Sequence, residues 1–570
     1  MIIQNMSFTL AAFFRVHCSA LALILGVTLL VYGPSIAAEA PDTSSPAAEA
    51  QTVEEPAAEN SEPAEPAVQF TLADVEGLAK TLAEKSYENP DGQVPAYLLG
   101  LRAKHWNGIR FRQEKSLWAE ENLPFNVQFF HPGFIYNRIV KIHVVDHGVS
   151  GQLPFSAEDF SYDDEEVGAK AAAETTLDYA GFRVHFSINN PDYKDEVAVF
   201  LGATYFRSLG RNTNYGISAR GLALNTALAE GEEFPYFKEF WLVKPEPDAT
   251  SLTVYALMDS PSMTGAYEFE IRPGTSTVFQ VAGTLFKRKG ATLPVKIGIA
   301  PLTSMYLFSE TQNGSRNDFR PEVHNSDGLL FTTDSNSWHW RPLNNPGRLG
   351  ISRFSMDSPV GFGLLQRDNR FDHYQDFTAR FERRPSLWVE PDGNWGKGEL
   401  ELIEIPSKDE IHDNIIAFWL PNSTAGNGSQ APESWKIGYR LYWMAPNVSP
   451  HILGKVAATR AVRSAKNDAI RFFIDFEGEN LNALPEDIGL SSVVESPEQF
   501  PVIDKQLLKN PVTGGWRLQF TVKTPQQDGV VQSLLTGRDE TPRLRLKALL
   551  KKGENLPDAL TEIWVYDILQ

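Results

Sequence analysis

The segment KDEIHDNIIAFW, residues 408–419, places several ionisable side chains directly before an apolar run. Asp409, Glu410 and Asp413 are carboxylates, His412 is an imidazole, and the following run is rich in β-branched residues. A carboxyl group that is buried beside another carboxylate keeps its proton near neutral pH and can act as a general acid. A solvated loop leading into a buried strand has the same composition. The segment alone therefore leaves a catalytic acid and a plain surface loop as alternatives.

Sequence patterns of several common catalytic and cofactor sites do not occur in the chain. It has no GxSxG elbow, no Walker loop, no HExxH pair and no GxGxxG behind a strand. The only cysteine, Cys18, lies near the N-terminus, so the rest of the chain has no disulfide and no cysteine metal site. The histidines are scattered, and His185 and His339 are read as structural. We expect no cofactor and no metal site.

Aromatic and polar residues are mixed in many of the segments that separate the candidate strands. The chain contains 12 Trp, 17 Tyr and 35 Phe, and such residues favour strand cores. Segments such as SWHWRPLNNPG and GEEFPYFKEFW add Arg, Asp and Glu to the rings. Rings that stack on pyranose faces, with charged groups that bind hydroxyls, are typical of carbohydrate clefts. Core packing and saccharide binding both explain this composition.

The overall charge excludes some classes of partner. The chain has 52 basic and 72 acidic residues, which give a net charge of −20. Nucleic-acid binding needs concentrated Lys and Arg, so this balance argues against a nucleic-acid partner. It also argues against adhesion to an anionic membrane surface.

The N-terminus has the pattern of a secretory signal. Arg15 and His17 precede an apolar stretch, residues 20–33, and the small-residue tract SIAAEA follows. The apolar stretch is short for a membrane span of about 20 residues. We predict a signal peptide over residues 1–38 and no stable membrane insertion after its cleavage. Residues 39–67, rich in Pro, Ala and Glu, are predicted to be a disordered tether.

The remainder of the chain reads as an all-β protein. Residues 71–87 have helical apolar spacing with Thr71 as a candidate cap. Short alternating runs then recur between turn signals, which predicts a large sandwich of two mostly antiparallel sheets over residues 68–445. Residues 446–454 resemble a linker. Strands spaced over residues 455–570 predict a C-terminal immunoglobulin-like sandwich.

A set of long motifs occurs in one order along the chain. They include FFHPGF, YGISARGLAL, GEEFPYFKEFW, RPEVHNSDGL, WRPLNNP, GFGLLQRD and DEIHDNIIAFW. These runs resemble the glucan biosynthesis protein G/D family, from about residue 70 to the C-terminus and more weakly after 445. The resemblance implies a periplasmic protein with a large N-terminal β-sandwich, a long cleft and a C-terminal immunoglobulin-like domain. It also implies a β-1,2-glucan ligand, since some members are inverting endo-β-1,2-glucanases and some relatives carry out transglycosylation.

The resemblance implies a general acid in this chain but leaves the position of the family's catalytic base without a carboxylate. The acid of the active members is the Asp of DExxDN, here Asp413, with Glu410 as a neighbouring cleft residue. An inverting hydrolase also needs a carboxylate that activates water. The family's base is the first Asp of HDSDGL, whereas this chain reads HNSDGL and has Asn325 there. Phe381 stands where a Tyr hydroxyl is expected near the reaction centre.

Three interpretations of this site remain open. In the first, Asp327, two positions after Asn325, replaces the base. In the second, the protein transfers glycosyl groups to a sugar hydroxyl along an altered proton path. In the third, it binds glucan with little hydrolysis, as a partner of the inner-membrane glucan synthase. A homodimer is compatible with the sequence.

The candidate substrate-binding residues are Arg320, His324, Trp340, Phe381, Trp395 and Glu410.

Overall fold

The computed structural model describes seven stretches of the chain. They are residues 69–312, 317–334, 337–422, 433–466, 468–524, 544–552 and 559–568. The predicted signal peptide and tether, residues 1–38 and 39–67, lie outside them. In these stretches no helix is long and apolar enough to cross a membrane.

Helices are few and short in the described residues. The α-helices are α1 (Leu72–Ala83), α2 (Ala96–Leu99), α3 (Ala103–Trp106), α4 (Glu165–Ala173), α5 (Phe371–Tyr374) and α6 (Glu479–Asn482). Short 3-10 helices occupy Gln113–Lys115, Ala157–Asp159, Glu310–Gln312, Phe381–Arg383 and Glu486–Ile488.

The predicted N-terminal helix is confirmed as α1. The backbone N–H of Thr71 donates to the Asp74 carboxylate at 2.7 Å, which caps the first turn. Val75, Ala79 and Ala83, spaced four residues apart, form its buried face.

Strands make up most of the remaining structure. The first sixteen are β1 (Ile109–Phe111), β2 (Asn126–Phe130), β3 (Lys141–Asp146), β4 (Val149–Leu153), β5 (Phe160–Tyr162), β6 (Gly181–Asn190), β7 (Tyr193–Leu201), β8 (Tyr205–Ser208), β9 (Ser218–Arg220), β10 (Leu222–Leu224), β11 (Tyr236–Val243), β12 (Leu252–Asp259), β13 (Met263–Arg272), β14 (Thr277–Lys287), β15 (Ile297–Ser304) and β16 (Tyr306–Phe308). The others are β17 (Val323–His324), β18 (Gly328–Thr332), β19 (Trp338–Pro342), β20 (Gly350–Met356), β21 (Gly361–Leu365), β22 (Ser386–Pro391), β23 (Gly398–Glu404), β24 (Ile415–Pro421), β25 (Ser434–Met444), β26 (Lys455–Arg463), β27 (Ala469–Glu477), β28 (Ser491–Glu495), β29 (Val502–Lys509), β30 (Trp516–Lys523), β31 (Leu544–Lys551) and β32 (Ile563–Ile568).

Two large sheets dominate the architecture. The ten-stranded sheet has the order β2-β6-β7-β8-β9-β15-β24-β23-β20, with β10 also paired to β15. The fourteen-stranded sheet has the order β28-β31-β32-β19-β18-β21-β22-β25-β14-β13-β12-β11-β3-β4. Its pairs are antiparallel except β3 with β11 and β19 with β32. The all-β, mostly antiparallel class predicted from the sequence is confirmed.

The two large sheets share one hydrophobic core. Phe200 and Phe206 of the ten-stranded sheet lie 5.2 Å and 5.0 Å from Phe269 of the fourteen-stranded sheet, between ring centroids. Phe182 contacts Phe240 across the same layer at 5.0 Å. Aromatic side chains at alternate strand positions thus fill the space between the sheets, which is how a sandwich core forms.

The C-terminal strands build a second core with the end of the fourteen-stranded sheet. A four-stranded sheet of order β26-β27-β30-β29 supplies Phe472 and Phe520, and β32 supplies Trp564. Trp340 and Trp388, from the N-terminal part of the chain, belong to the same core. The predicted domain boundaries stay predictions, but β32 pairs directly with β19 and joins the two parts of the chain.

Candidate functional site

Asp413 lies at the N-terminal mouth of the buried strand β24. Its neighbour Asn414 is buried and holds the turn in place: its side-chain oxygen accepts the backbone N–H of Tyr306 at 2.8 Å. The Asn414 side-chain amide donates to the carbonyl oxygens of Tyr306 and Ile405 at 3.0 Å and 2.9 Å. Because three fixed hydrogen bonds hold residue 414, Asp413 is presented from a rigid position.

Asp413 is half-buried, and one oxygen of its carboxyl group is enclosed by the protein. Its Oδ2 atom has almost no solvent contact. Burial raises the pKa of this carboxyl above its usual value, while the charges of Arg207, Arg384 and His412 act in the opposite direction. A carboxyl that keeps its proton to higher pH is suited to donate it.

Arg384 joins several residues named from the sequence. One of its Nη atoms donates to the Oδ1 atom of Asn325, and the other donates to the Ala379 carbonyl at 3.2 Å. Its guanidinium carbon lies 4.2 Å from the ring centroid of Phe381. Asn325 and Phe381 are therefore brought together by one guanidinium that also acts on Asp413.

Arg384 differs from the other buried arginines in its partners. Those others each pair with a carboxylate: Arg220 with Glu232, Arg288 with Asp259, and Arg341 with Glu404. In the described part of the chain, Arg384 forms no such ion pair. Burial lowers its pKa to about 10, against the charges of Glu410 and Asp413. An Asp in place of Asn325 would supply the missing carboxylate.

The Arg384 side chain also needs a glycine beside it. A Cβ atom on Gly216 would lie 2.9 Å from the Cβ atom of Arg384, which is closer than atoms of this kind approach. The glycine therefore leaves the space that the arginine stem fills.

Arg320 connects three carboxylates next to this group. It lies 2.7 Å from Asp318, 2.9 Å from Asp376 and 2.7 Å from Glu410, measured between side-chain nitrogen and oxygen atoms. Since Glu410 comes from the same segment as Asp413, the Arg320 cluster and the Arg384 cluster adjoin. Glu410 is partly open to solvent.

His324 is the last residue of β17 and directly precedes Asn325. It is fully buried, with its ring nitrogens 2.9 Å from Glu322 and 2.8 Å from Gln366. Burial alone would lower the pKa of His324, but the Glu322 hydrogen bond and charge raise it to about 9. Gln366 also donates to the Phe381 carbonyl at 3.1 Å. His324 thus acts through its neighbours and positions Asn325 and Phe381.

This raised pKa predicts a pH-dependent stability. The unfolded histidine has its usual pKa near 6.5, so the stabilisation is complete below that pH and is lost as pH rises through 9. We expect the free energy of unfolding to fall by on the order of 3 kcal/mol across this interval, and His324→Gln to flatten the decline. Chemical denaturation at several pH values measures both. His147→Asn, at a 90% exposed side chain, is the control and should decline like the wild type.

Asp327 lies in a different cluster from Asp413. Its carboxylate accepts the backbone N–H groups of Arg367 and Asp368 at 3.2–3.3 Å. Burial raises its pKa to about 6, and the charges of His324 and Arg367 oppose that rise. These contacts hold the Asp327 carboxylate beside Arg367 and Asp368, and its role as a replacement base stays a prediction.

The two candidate tryptophans contact residues outside the Asp413 segment. Trp340 is 3% exposed, with the Arg367 guanidinium 3.6 Å from its ring centroid, and its ring packs against Gly328. Trp395 lies in the turn between β22 and β23 and donates from Nε1 to the Gly438 carbonyl at 3.2 Å. That turn is at the opposite end of β24 from Asp413, about 20 Å away at strand rise. Saccharide contacts of either ring stay predictions.

One group of side chains has spacing compatible with a metal ion. Ligand atoms of Glu322, Asp368 and His373 lie within 4.8 Å of one another. His373 already pairs with Asp368, and Glu322 with His324. These contacts account for all three groups, so we assign no metal to them.

Sequence reasoning missed Arg207, Arg384, Asp376 and Gln366. Arg384 lies in RFERRPSLW, where three arginines in five residues are typical of a solvated surface. Only the packing shows that one of them is buried against Asn325 and Phe381.

These features define an all-β protein with a partly enclosed carboxylate–arginine site at the strand ends of its ten-stranded sheet. Residues 70–568 match the model of the family described as "Periplasmic glucan biosynthesis protein, MdoG". The chain belongs to this family, and the membership predicted from its motifs is confirmed.

Relatives in several bacteria are similar over most of the chain. "Glucans biosynthesis protein G" of Rhodopseudomonas palustris (strain BisA53) is 42% identical over 494 residues, which are 86% of this chain and 92% of the relative. The protein of the same description from Ralstonia nicotianae is 41% identical over 487 residues, 83% of this chain and 95% of the relative. A solved chondroitinase AC lyase aligns with 12% identity and a TM-score of 0.17, covering 56% of this chain and 38% of its own, which is too weak for any argument.

Proposed function

We propose that the protein is exported to the periplasm, where it binds a β-1,2-glucan backbone at the Asp413–Arg384 site. It processes this backbone by glycosyl transfer or cleavage, with Asp413 as the general acid. The relatives named as glucan biosynthesis proteins support the saccharide class, and the N-terminal sequence pattern supports export.

The observation that carries this proposal is the environment of Asp413. One oxygen of its carboxyl is buried, the pKa of the carboxyl is raised by burial, and the hydrogen-bonded Asn414 next to it fixes its position. A protonated carboxyl in a rigid, partly dry site can donate to the glycosidic oxygen as the bond to the leaving sugar breaks. Arg207 and Arg384 then stabilise the carboxylate that remains.

The residue at the base position disfavours ordinary hydrolysis. Asn325 has an amide that cannot accept a proton from water, and its oxygen already accepts from Arg384. In transfer, the oxygen of a sugar hydroxyl bonds to the anomeric carbon as the glycosidic bond breaks and Asp413 gives its proton to the leaving oxygen. The proton of the attacking hydroxyl passes to solvent water, and solvent reprotonates Asp413. The product is then a rearranged glucan rather than a shortened one.

The second candidate function is a glucan-binding partner of the inner-membrane glucan synthase, without catalysis. Positions 325 and 381 favour this non-catalytic function, because the Asn325 side chain cannot act as a base and Phe381 has no hydroxyl group. A homodimer is compatible with either function.

Incubation of the purified protein with linear β-1,2-glucan, followed by product analysis, separates these functions. Asn325→Asp is expected to raise hydrolysis by about 100-fold or more, since it restores a carboxylate base. Arg384 would pair with this carboxylate and keep it ionised.

Asn325→Ser is the matched control, because it also removes the amide but adds no base. Equal hydrolysis by the Asp and Ser variants would show that position 325 is not the base position. Glucan binding by the wild type without any change of products would instead support the non-catalytic function.

A further inference from the structure

Phe319 and Phe377 are unusual among the phenylalanines of this chain. They are 75% and 82% exposed, whereas every other phenylalanine in the described ranges is buried or partly buried. Leaving a Phe side chain in water instead of burying it forgoes about 2 kcal/mol of stabilisation. Two such rings in one region indicate a surface that becomes covered in function.

Both rings flank the same ion pair at the candidate site. Phe319 lies between Asp318 and Arg320 in the sequence, and Phe377 directly follows Asp376. The Arg320 guanidinium bonds to Asp376 at 2.9 Å, so one ion pair joins the two loops that carry the rings. Arg320 also contacts Glu410, three residues before Asp413. The exposed rings therefore border the segment that carries the proposed acid.

The charges around the rings select the kind of ligand. Three carboxylates, Asp318, Asp376 and Glu410, surround the single guanidinium of Arg320. This excess of negative charge disfavours an acidic ligand. A neutral pyranose offers an apolar C–H face to a ring and hydroxyls to carboxylates and guanidinium at its edge.

We propose that Phe319 and Phe377 form a saccharide-binding subsite in which neutral sugar units stack on one or both rings. Glu410, partly open to solvent, accepts hydroxyl hydrogens at its edge. Phe377 keeps a face for the ligand although it also contacts Phe371, with ring centroids 5.0 Å apart. The inference rests on the proposed glucan function and adds the residues that hold the sugars beside Asp413.

Calorimetric titration of linear β-1,2-glucan into the full chain tests the subsite. Phe319→Ala and Phe377→Ala are each expected to weaken binding by about 5- to 10-fold, and the double variant by about 30-fold or more. Phe→Tyr at either position should restore binding, because the ring face is kept. Melting temperatures should stay at the wild-type value, because both side chains are exposed.

Tyr193→Ala is the matched control, since Tyr193 is an exposed ring at the start of β7 and should not affect binding. Wild-type binding to the double Phe variant would overturn the subsite while leaving the proposed function intact. No glucan binding by the wild type would overturn both. Analytical ultracentrifugation is the second measurement. If the wild type is a dimer and the double Phe variant is a monomer, the rings bind a second copy of the chain. That result would overturn the saccharide subsite.

Discussion

Replacing Asp413 by Asn is expected to abolish product formation from β-1,2-glucan while glucan affinity stays within about threefold of wild type. The amide keeps the shape of the side chain but has no acidic proton for the glycosidic oxygen. General acid catalysis contributes about 100- to 10,000-fold, so the turnover rate should fall by at least this factor. Single-turnover assays measure the loss, and calorimetry measures the retained affinity.

The pH dependence gives an independent check on this assignment. An acid must be protonated to act, so activity should fall as pH rises through the pKa of Asp413. Because burial raises that pKa, the fall should begin at a higher pH than for an ordinary aspartate. Arg384→Gln removes one of the charges that oppose the rise and should move the fall to still higher pH.

Asp409→Asn is the matched control for Asp413→Asn. It removes a carboxylate of the same segment whose side chain is 49% exposed. Activity should remain at the wild-type level. Equal losses of activity in both variants would indicate a general effect of charge in residues 408–413. Normal turnover by Asp413→Asn would exclude Asp413 as the general acid.

Glu562→Gln is expected to destabilise the protein by about 3–5 kcal/mol, the typical cost of leaving a buried charge without its partner. Glu562 is fully buried and accepts from the Arg367 guanidinium, from His451 Nε2 at 2.6 Å and from the Val456 N–H at 2.9 Å. Burial alone would raise the pKa of Glu562, but Arg367 and His451 lower it to about 2. Chemical denaturation at pH 7 measures the change, because the stabilisation is complete above pH 4.5 and is lost only as pH falls through 2.

The control for this prediction is Glu166→Gln in α4. Glu166 pairs with Lys170 at 2.7 Å, and both side chains are more than half exposed to solvent. Loss of this carboxylate should lower the free energy of unfolding by about 1 kcal/mol or less. Similar costs for the two variants would contradict the prediction. Arg367→Met combined with Glu562→Gln should recover part of the stability, because the uncompensated buried charge is then removed.

The Glu562 contacts connect the C-terminal strands to the candidate site. Arg367 follows Gln366, which bonds to His324 and to the Phe381 carbonyl. Loss of the ion pair should therefore loosen the segment that carries Arg384 as well as the C-terminal core. Hydrogen exchange over residues 366–384 would detect this loosening.

Much of the fold follows from local sequence pattern. Alternating apolar residues and regular turn signals predicted an all-β chain, and helical spacing of Val75, Ala79 and Ala83 predicted α1. These features depend on neighbours along the chain, so they can be read without the tertiary structure. The pairing of β32 with β19 could not be read, because strand partners far apart in sequence leave no local signal.

The same division applies to the site. The sequence by itself determined the identity of the residues: Asp413 in DEIHDN, Asn325 in HNSDGL and Phe381 in RFERRPSLW, which packing cannot change. Only the tertiary structure decided which residues meet. It buried Arg384 between Asn325 and Phe381, placed Asp327 with His324 and Arg367, and covered the Trp340 ring. The physical reason is that burial and charge depend on side chains brought together from distant segments, and these set the pKa of Asp413.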